Sequence, residues 1–273
     1  MIFQAIPMGR ILVGIIIECV VFTVCISITS MILSRYRKSK NAQQRSMAMF
    51  YILYGLAILG SITGKILTYI YAEKFGTYDL DKTEWGLFTN WSFSLGFITF
   101  SLYYQLQVSF QLFPPKIKRE KAHLFTQIGT GILILIIFAI PRYGIQGMEL
   151  KLLYSIKFLL VFVYVLAVSL YYMIKSYKVY TFIRNKFLQR RILFGLIFHA
   201  SVILVFVFFM VSSIYGAATT IYYSWGYFLS ITFMMIAAVS GFLSILHGKE
   251  SDRQEIDEEL QKLLQDRKNK EKQ

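Results

Sequence analysis

Four ionisable side chains interrupt stretches that are otherwise apolar: Glu18, Lys65, Lys157 and His199. A charge inside an apolar run of membrane-spanning length is costly, so it calls for a partner, a water-lined cavity or a function. The chemistry open to these groups is charge pairing, ligand capture and proton exchange. Catalysis is not indicated, because the chain has no HExxH, no nucleophile elbow and no cluster with metal-ligand spacing. Gly60–Lys65 ends in Gly-Lys, but it is one residue short of a phosphate-binding loop and has Ile66 where Ser or Thr is needed. The expectation is a protein that is not an enzyme and carries no cofactor or metal.

Lys65 lies in the stretch GSITGKILTYIY, residues Gly60–Tyr71. At helical spacing Ala57, Gly60, Ser61, Gly64, Lys65 and Thr68 share one face, while Leu59, Ile62, Ile66 and Tyr69 look elsewhere. Gly60 and Gly64 form a G-x-x-x-G that lets another helix approach closely, within the bundle or from a partner subunit. Gly14, Glu18, Cys25 and Thr29 form a similar small or polar stripe in the first apolar run, and Asn90, Ser94, Ser101 and Gln105 in the third.

The elements that must position these residues are membrane spans. The chain has 273 residues, 56% hydrophobic and 17% aromatic, with a formal net charge of +14. Apolar runs occur at roughly Ile11–Leu33, Met47–Tyr71, Gly86–Phe113, Leu124–Ile140, Leu152–Lys175, Ile192–Tyr215 and Ile221–Leu246. Each approaches the roughly 20 residues that span a bilayer as helix. The first run is read as a span, not as a cleaved signal.

The positive charge is confined to alternate connections. Arg35, Arg37, Lys38, Lys40 and Arg45 follow the first run; Lys116, Lys118, Arg119 and Lys121 follow the third; Lys175, Lys178, Arg184, Lys186, Arg190 and Arg191 surround the fifth-to-sixth connection. The other side balances Arg10, Lys74, Lys82, Arg142 and Lys151 with Glu73, Asp79, Asp81, Glu84 and Glu149. That distribution orients a membrane protein and argues against nucleic acid as a partner. The predicted fold is all-α: a polytopic bundle of seven transmembrane helices, N-terminus outside and C-terminus cytosolic, in the cell membrane. Residues 1–247 form the transmembrane domain and residues 248–273 a charged cytosolic tail. Ile256, Leu260, Leu263 and Leu264 give the tail a short apolar seam, suited to a homodimer contact or a cytosolic signalling partner.

With this topology Glu18, Lys65 and Lys157 fall in one layer, with Glu18 about 10 Å below the outer helix end. A Glu18–Lys65 pair would neutralise two buried charges. With Asn90, Lys157, Tyr222 and Trp225 it would outline an outward-facing pocket for a small ligand. His199 sits nearer the cytosolic half and is read as a packed, hydrogen-bonding residue.

Seven spans invite comparison with retinal proteins and G-protein-coupled receptors. Ile221–Leu246 has no lysine for a Schiff base, however, and the third run ends in SFQLFPPK, without an acidic-Arg-aromatic motif. The basic run Arg35–Arg45, the outer loop ending near Trp85, the third span closed at Pro114 and the charged stub after Gly248 give a rhythm that resembles the seven-helix N-terminal sensor region of prokaryotic membrane histidine kinases. The resemblance implies a sensor or receptor-like module that signals through a separate protein, since no kinase follows. The competing classes are a small transporter or channel, with the polar stripes lining a path, and a membrane assembly or scaffold subunit.

Overall fold

In the computed structural model, residues 8–75, 92–113, 119–139, 148–183, 185–219 and 225–246 are described. They form seven helices and no strand: α1 (Met8–Ser39), α2 (Ala42–Phe75), α3 (Ser94–Leu112), α4 (Arg119–Ala139), α5 (Met148–Tyr180), α6 (Lys186–Thr219) and α7 (Trp225–Leu246). Most run past the apolar stretches into their basic flanks; α1 continues through Arg35, Arg37 and Lys38. The four prolines all lie outside the described helices. Pro114 and Pro115 follow α3, and Pro141 follows α4.

Six helices, all but α3, are long and apolar enough to cross a membrane. The architecture is that of a multi-pass helical membrane protein. Its exterior is correspondingly apolar, with Ile16, Phe125, Leu135, Val163 and Ile174 all exposed. Such a surface would aggregate in water and suits a lipid solvent.

The helix α3 is not among those six, while its expected stripe of Ser94, Ser101 and Gln105 is buried. Its 19 residues carry Ser94, Thr99, Ser101, Gln105, Gln107 and Ser109, all buried. It packs against α2, α4 and α5, which take the place of lipid around it. A helix sheathed by other helices needs no uniformly apolar surface, which is why it reads as the most polar run.

The helices close into a ring. Each of α1 to α6 packs on its successor, and α1 meets α7. Inside the ring, Tyr51 of α2 donates its hydroxyl to the Ala238 carbonyl of α7 at 2.8 Å. Phe50 packs edge-on against Phe198 of α6. These inward aromatics join Val21, Cys25, Ile28, Val161, Val165 and Ile231 in one apolar core. Cys19 and Cys25 are both free thiols.

The turn between α1 and α2 is short. Lys40 adopts a left-handed conformation, φ 53°, and its N–H donates to the Tyr36 carbonyl at 2.8 Å. The Asn41 side chain then accepts the Gln43 N–H at 2.8 Å, capping α2. This reversal makes α1 and α2 antiparallel neighbours and sets Glu18 against Lys65.

Candidate functional site: a buried polar centre joining three helices

Glu18 lies on the face of α1 that the rest of the bundle covers. Ile11, Gly14, Glu18, Val21, Cys25, Ile28 and Ile32 are all buried, while Ile16, Val20 and Ile26 are exposed. This stripe at helical spacing places the carboxylate, 2% exposed, against the rest of the bundle. On α2, the predicted face Ala57, Gly60, Gly64 and Lys65 is buried, with Ser61 partly so; Leu59 and Ile66 are exposed. Ile62 departs from the expectation and is buried as well. The reason is that α2 is gripped by α1 on one side and α3 on the other, so its buried arc is wide. The Thr68 side chain lies outside the described residues.

The Lys65 ammonium, 3% exposed, donates to Glu18 Oε1 at 2.6 Å. It also donates to Ser61 Oγ at 2.6 Å, one turn away on its own helix. Ser61 Oγ donates to the same Glu18 oxygen at 3.1 Å. The third element is α7, from which the Tyr227 hydroxyl donates to Glu18 Oε1 at 2.9 Å. The Tyr227 ring lies 5.3 Å from the Lys65 ammonium, close enough for a cation–π attraction. Gly14 makes room for this reach: a Cβ there would stand 3.1 Å from the Tyr227 hydroxyl.

Three donors from two other helices thus converge on one carboxylate oxygen. Glu18 Oε2, equally buried, has no hydrogen-bond partner among the described residues. A buried carboxylate oxygen left without a donor is costly, and it is a ready acceptor for a proton, a water or an incoming N–H group.

The other predicted site residues are distributed as follows. Lys157 is buried on α5, 3% exposed. Trp225 is 57% exposed and packs edge-on against Phe208 of α6. Asn90 and Tyr222 lie outside the described residues. Gly60 serves packing within the chain, since a Cβ there would come 2.5 Å from Phe93 and 3.0 Å from Ser94 Oγ at the start of α3. Gly64 is buried on the same face.

Tyr227 is the member of this polar centre that sequence reasoning missed. It stands in the aromatic opening of α7, YYSWGYF, where tyrosine reads as interfacial belt. The usable signal was its spacing: Tyr227, Ser230 and Met234 follow one buried face, whereas Trp225 and Leu229 point outward.

A second polar node lies about 16 Å further along α3, counted from Ser94 to Gln105 at the helical rise. Gln105 Nε2 and His199 Nδ1 are 2.9 Å apart, and the His199 ring stacks on Tyr172 of α5 with centroids 4.0 Å apart. His199 is therefore the packed, hydrogen-bonded histidine expected. Elsewhere in the bundle interior Gln107 Nε2 and Ser169 Oγ, and in this node Gln105 Oε1, are buried without a hydrogen-bond partner among the described residues. Ser169 is unusual, because Thr99, Ser109, Ser230 and Ser240 each return their hydroxyl to a carbonyl of their own helix. Neither node contains a described group of three or more His, Cys, Asp or Glu suited to a metal.

Comparison with protein-family models, with curated proteins and with solved structures gave no match.

Proposed function

We propose that this chain is a membrane sensor or receptor-like module, crossing the cell membrane seven times with its N-terminus outside. In this reading a small ligand engages the Glu18–Lys65–Tyr227 centre, and helix movement carries the signal to a cytosolic partner through the basic connections. The observation that carries it is the convergence of Lys65, Ser61 and Tyr227 on Glu18 Oε1 while Oε2 stays unpartnered among the described residues.

A buried ion pair adds little net stability, but losing one partner is strongly unfavourable. Such a centre is suited to a two-state element. A donor arriving at Oε2, or an anion competing for Lys65, changes what holds α1 to α2 and α7. Those are the two helices against which α1 principally packs. The unbroken helices and the prolines outside them favour this reading over ion-coupled transport, which commonly uses discontinuous helices.

Benzoate and phenylethylamine serve as probes of the two charge types. Calorimetric titration is expected to show one of them binding the wild type and not Lys65→Met. The Glu18→Gln/Lys65→Met double variant removes both charges and covers the case in which the single variant does not fold. A folded variant that binds the probe as the wild type does contradicts the reading.

A small transporter or channel is the second reading, favoured by the buried polar atoms Gln105 Oε1, Gln107 Nε2 and Ser169 Oγ, which have no partner among the described residues. Flux of the bound probe in proteoliposomes distinguishes it, since a sensor moves no solute.

A further inference from the structure

The basic end of the α5–α6 hairpin carries a feature that the polar centre does not use. Between the two helices runs an open groove of about 530 Å³. Leu170 and Ile174 line it on α5 and Leu196, Ile197 and Ala200 on α6, with Tyr177 and Lys178 at one end. The wall is almost wholly apolar. From Leu170 to Tyr177 it extends about 10 Å along the helix axis.

That end also gathers charge. On α6, Ile197, Leu193, Arg190 and Lys186 succeed one another at helical spacing, so Arg190 and Lys186 stand on the groove's own face, one and two turns beyond Leu193 toward the helix start. Lys178, Lys186 and Arg190 are all exposed. The five residues joining the two helices, 181–185, contain Arg184 and no acid. An apolar trough thus opens directly beneath a cluster of cations.

We propose that this groove is a specific site for one anionic phospholipid, with an acyl chain along the α5–α6 trough and the phosphate at Lys178, Lys186 and Arg190. The apolar wall commits the site to a lipid, because free phosphate would gain nothing from Leu170, Ile174 or Ile197. The cations commit it to an anionic headgroup, each contributing about fivefold to retention at a membrane surface. Bound there, the lipid clamps the α5–α6 hairpin at the end opposite the Glu18–Lys65 pair. The site does not depend on the functional reading of that pair.

Native mass spectrometry of the full chain from mixed micelles, with equal phosphatidylglycerol and phosphatidylcholine, tests the proposal. The wild type is expected to retain one phosphatidylglycerol in preference to phosphatidylcholine, unchanged by millimolar inorganic phosphate. Lys178→Gln/Lys186→Gln/Arg190→Gln is expected to lower that retention on the order of a hundredfold. These positions are exposed, so folding is not at stake. Ala200→Trp fills the trough and is expected to abolish retention; Ile197→Trp is the second filling variant if the first does not fold. Equal retention of the two lipids by the wild type overturns the proposal. So does preferential retention that survives the charge variant, or that survives a folded trough-filling variant, or displacement by inorganic phosphate alone.

Discussion

Removing either member of the Glu18–Lys65 pair alone should be far worse than removing both. In Lys65→Met the Glu18 carboxylate keeps Tyr227 and Ser61 as donors but loses its counter-charge within a site 2% exposed. In Glu18→Gln the ammonium keeps Ser61 Oγ and the Tyr227 ring. Breaking a buried pair from one side costs about 3–5 kcal/mol. The double variant Glu18→Gln/Lys65→Met buries no charge and retains an amide oxygen for Tyr227 and Ser61. Its loss should be about 1–2 kcal/mol, the scale of weakened neutral hydrogen bonds. The cycle therefore predicts a coupling of at least about 4 kcal/mol, above the typical value for neutral interhelical hydrogen bonds in membranes. Unfolding by denaturing detergent in mixed micelles, followed by far-ultraviolet circular dichroism, measures all four proteins. Losses that add to within about 0.5 kcal/mol would refute a direct buried pair, as would single variants no less stable than the wild type.

Further outcomes follow from the same geometry. Tyr227→Phe removes a hydrogen bond to a charged acceptor and should lower stability by about 1.5–3 kcal/mol, while Trp225→Phe, at an exposed site, should change it little; the same unfolding assay compares them. Gly60→Ala drives a methyl group into Phe93 and Ser94 and should cost about 1–2 kcal/mol as α2 and α3 separate slightly, read as a lower melting temperature. Gln105→Leu strands His199 and should cost about 1–3 kcal/mol, and adding His199→Phe should restore much of it, because an apolar pair leaves nothing unsatisfied. Lys40→Gly relieves a left-handed lysine and should raise the melting temperature by about 2 °C.

The membrane character and the helices were legible because lipid demands long apolar runs, and those runs are plain in the chain. The pairing of Glu18 with Lys65 was legible for a related reason. Two opposite charges on neighbouring antiparallel helices, each among small residues, have few other means of neutralisation. Less was legible where burial is decided between helices. On α3 the expected stripe of Ser94, Ser101 and Gln105 is buried, but so are Gln107 and Ser109, and hydropathy alone cannot say that other helices cover this second face. Ile62 lies off the small polar face of α2 and is buried all the same, because α1 and α3 enclose a wide arc. Tyr227 was masked by its aromatic neighbours: only the register of α7 separates the residue that reaches Glu18 from the exposed Trp225. The charged tail after Gly248, with its predicted apolar seam, lies outside the described residues.

The central claim is that the polar centre sets the arrangement of the basic helix ends on the far side of the bundle. Spin labels at Arg37, near the end of α1, and Lys121, near the start of α4, test it most directly, both positions being exposed. Cys19 is replaced by Ser for this purpose, and Cys25 is fully buried. Pulsed electron resonance on wild type and on Glu18→Gln/Lys65→Met should give distance distributions whose means differ by about 2 Å or more. Superimposable distributions from two folded proteins would contradict the account and leave Glu18 and Lys65 as a purely structural pair.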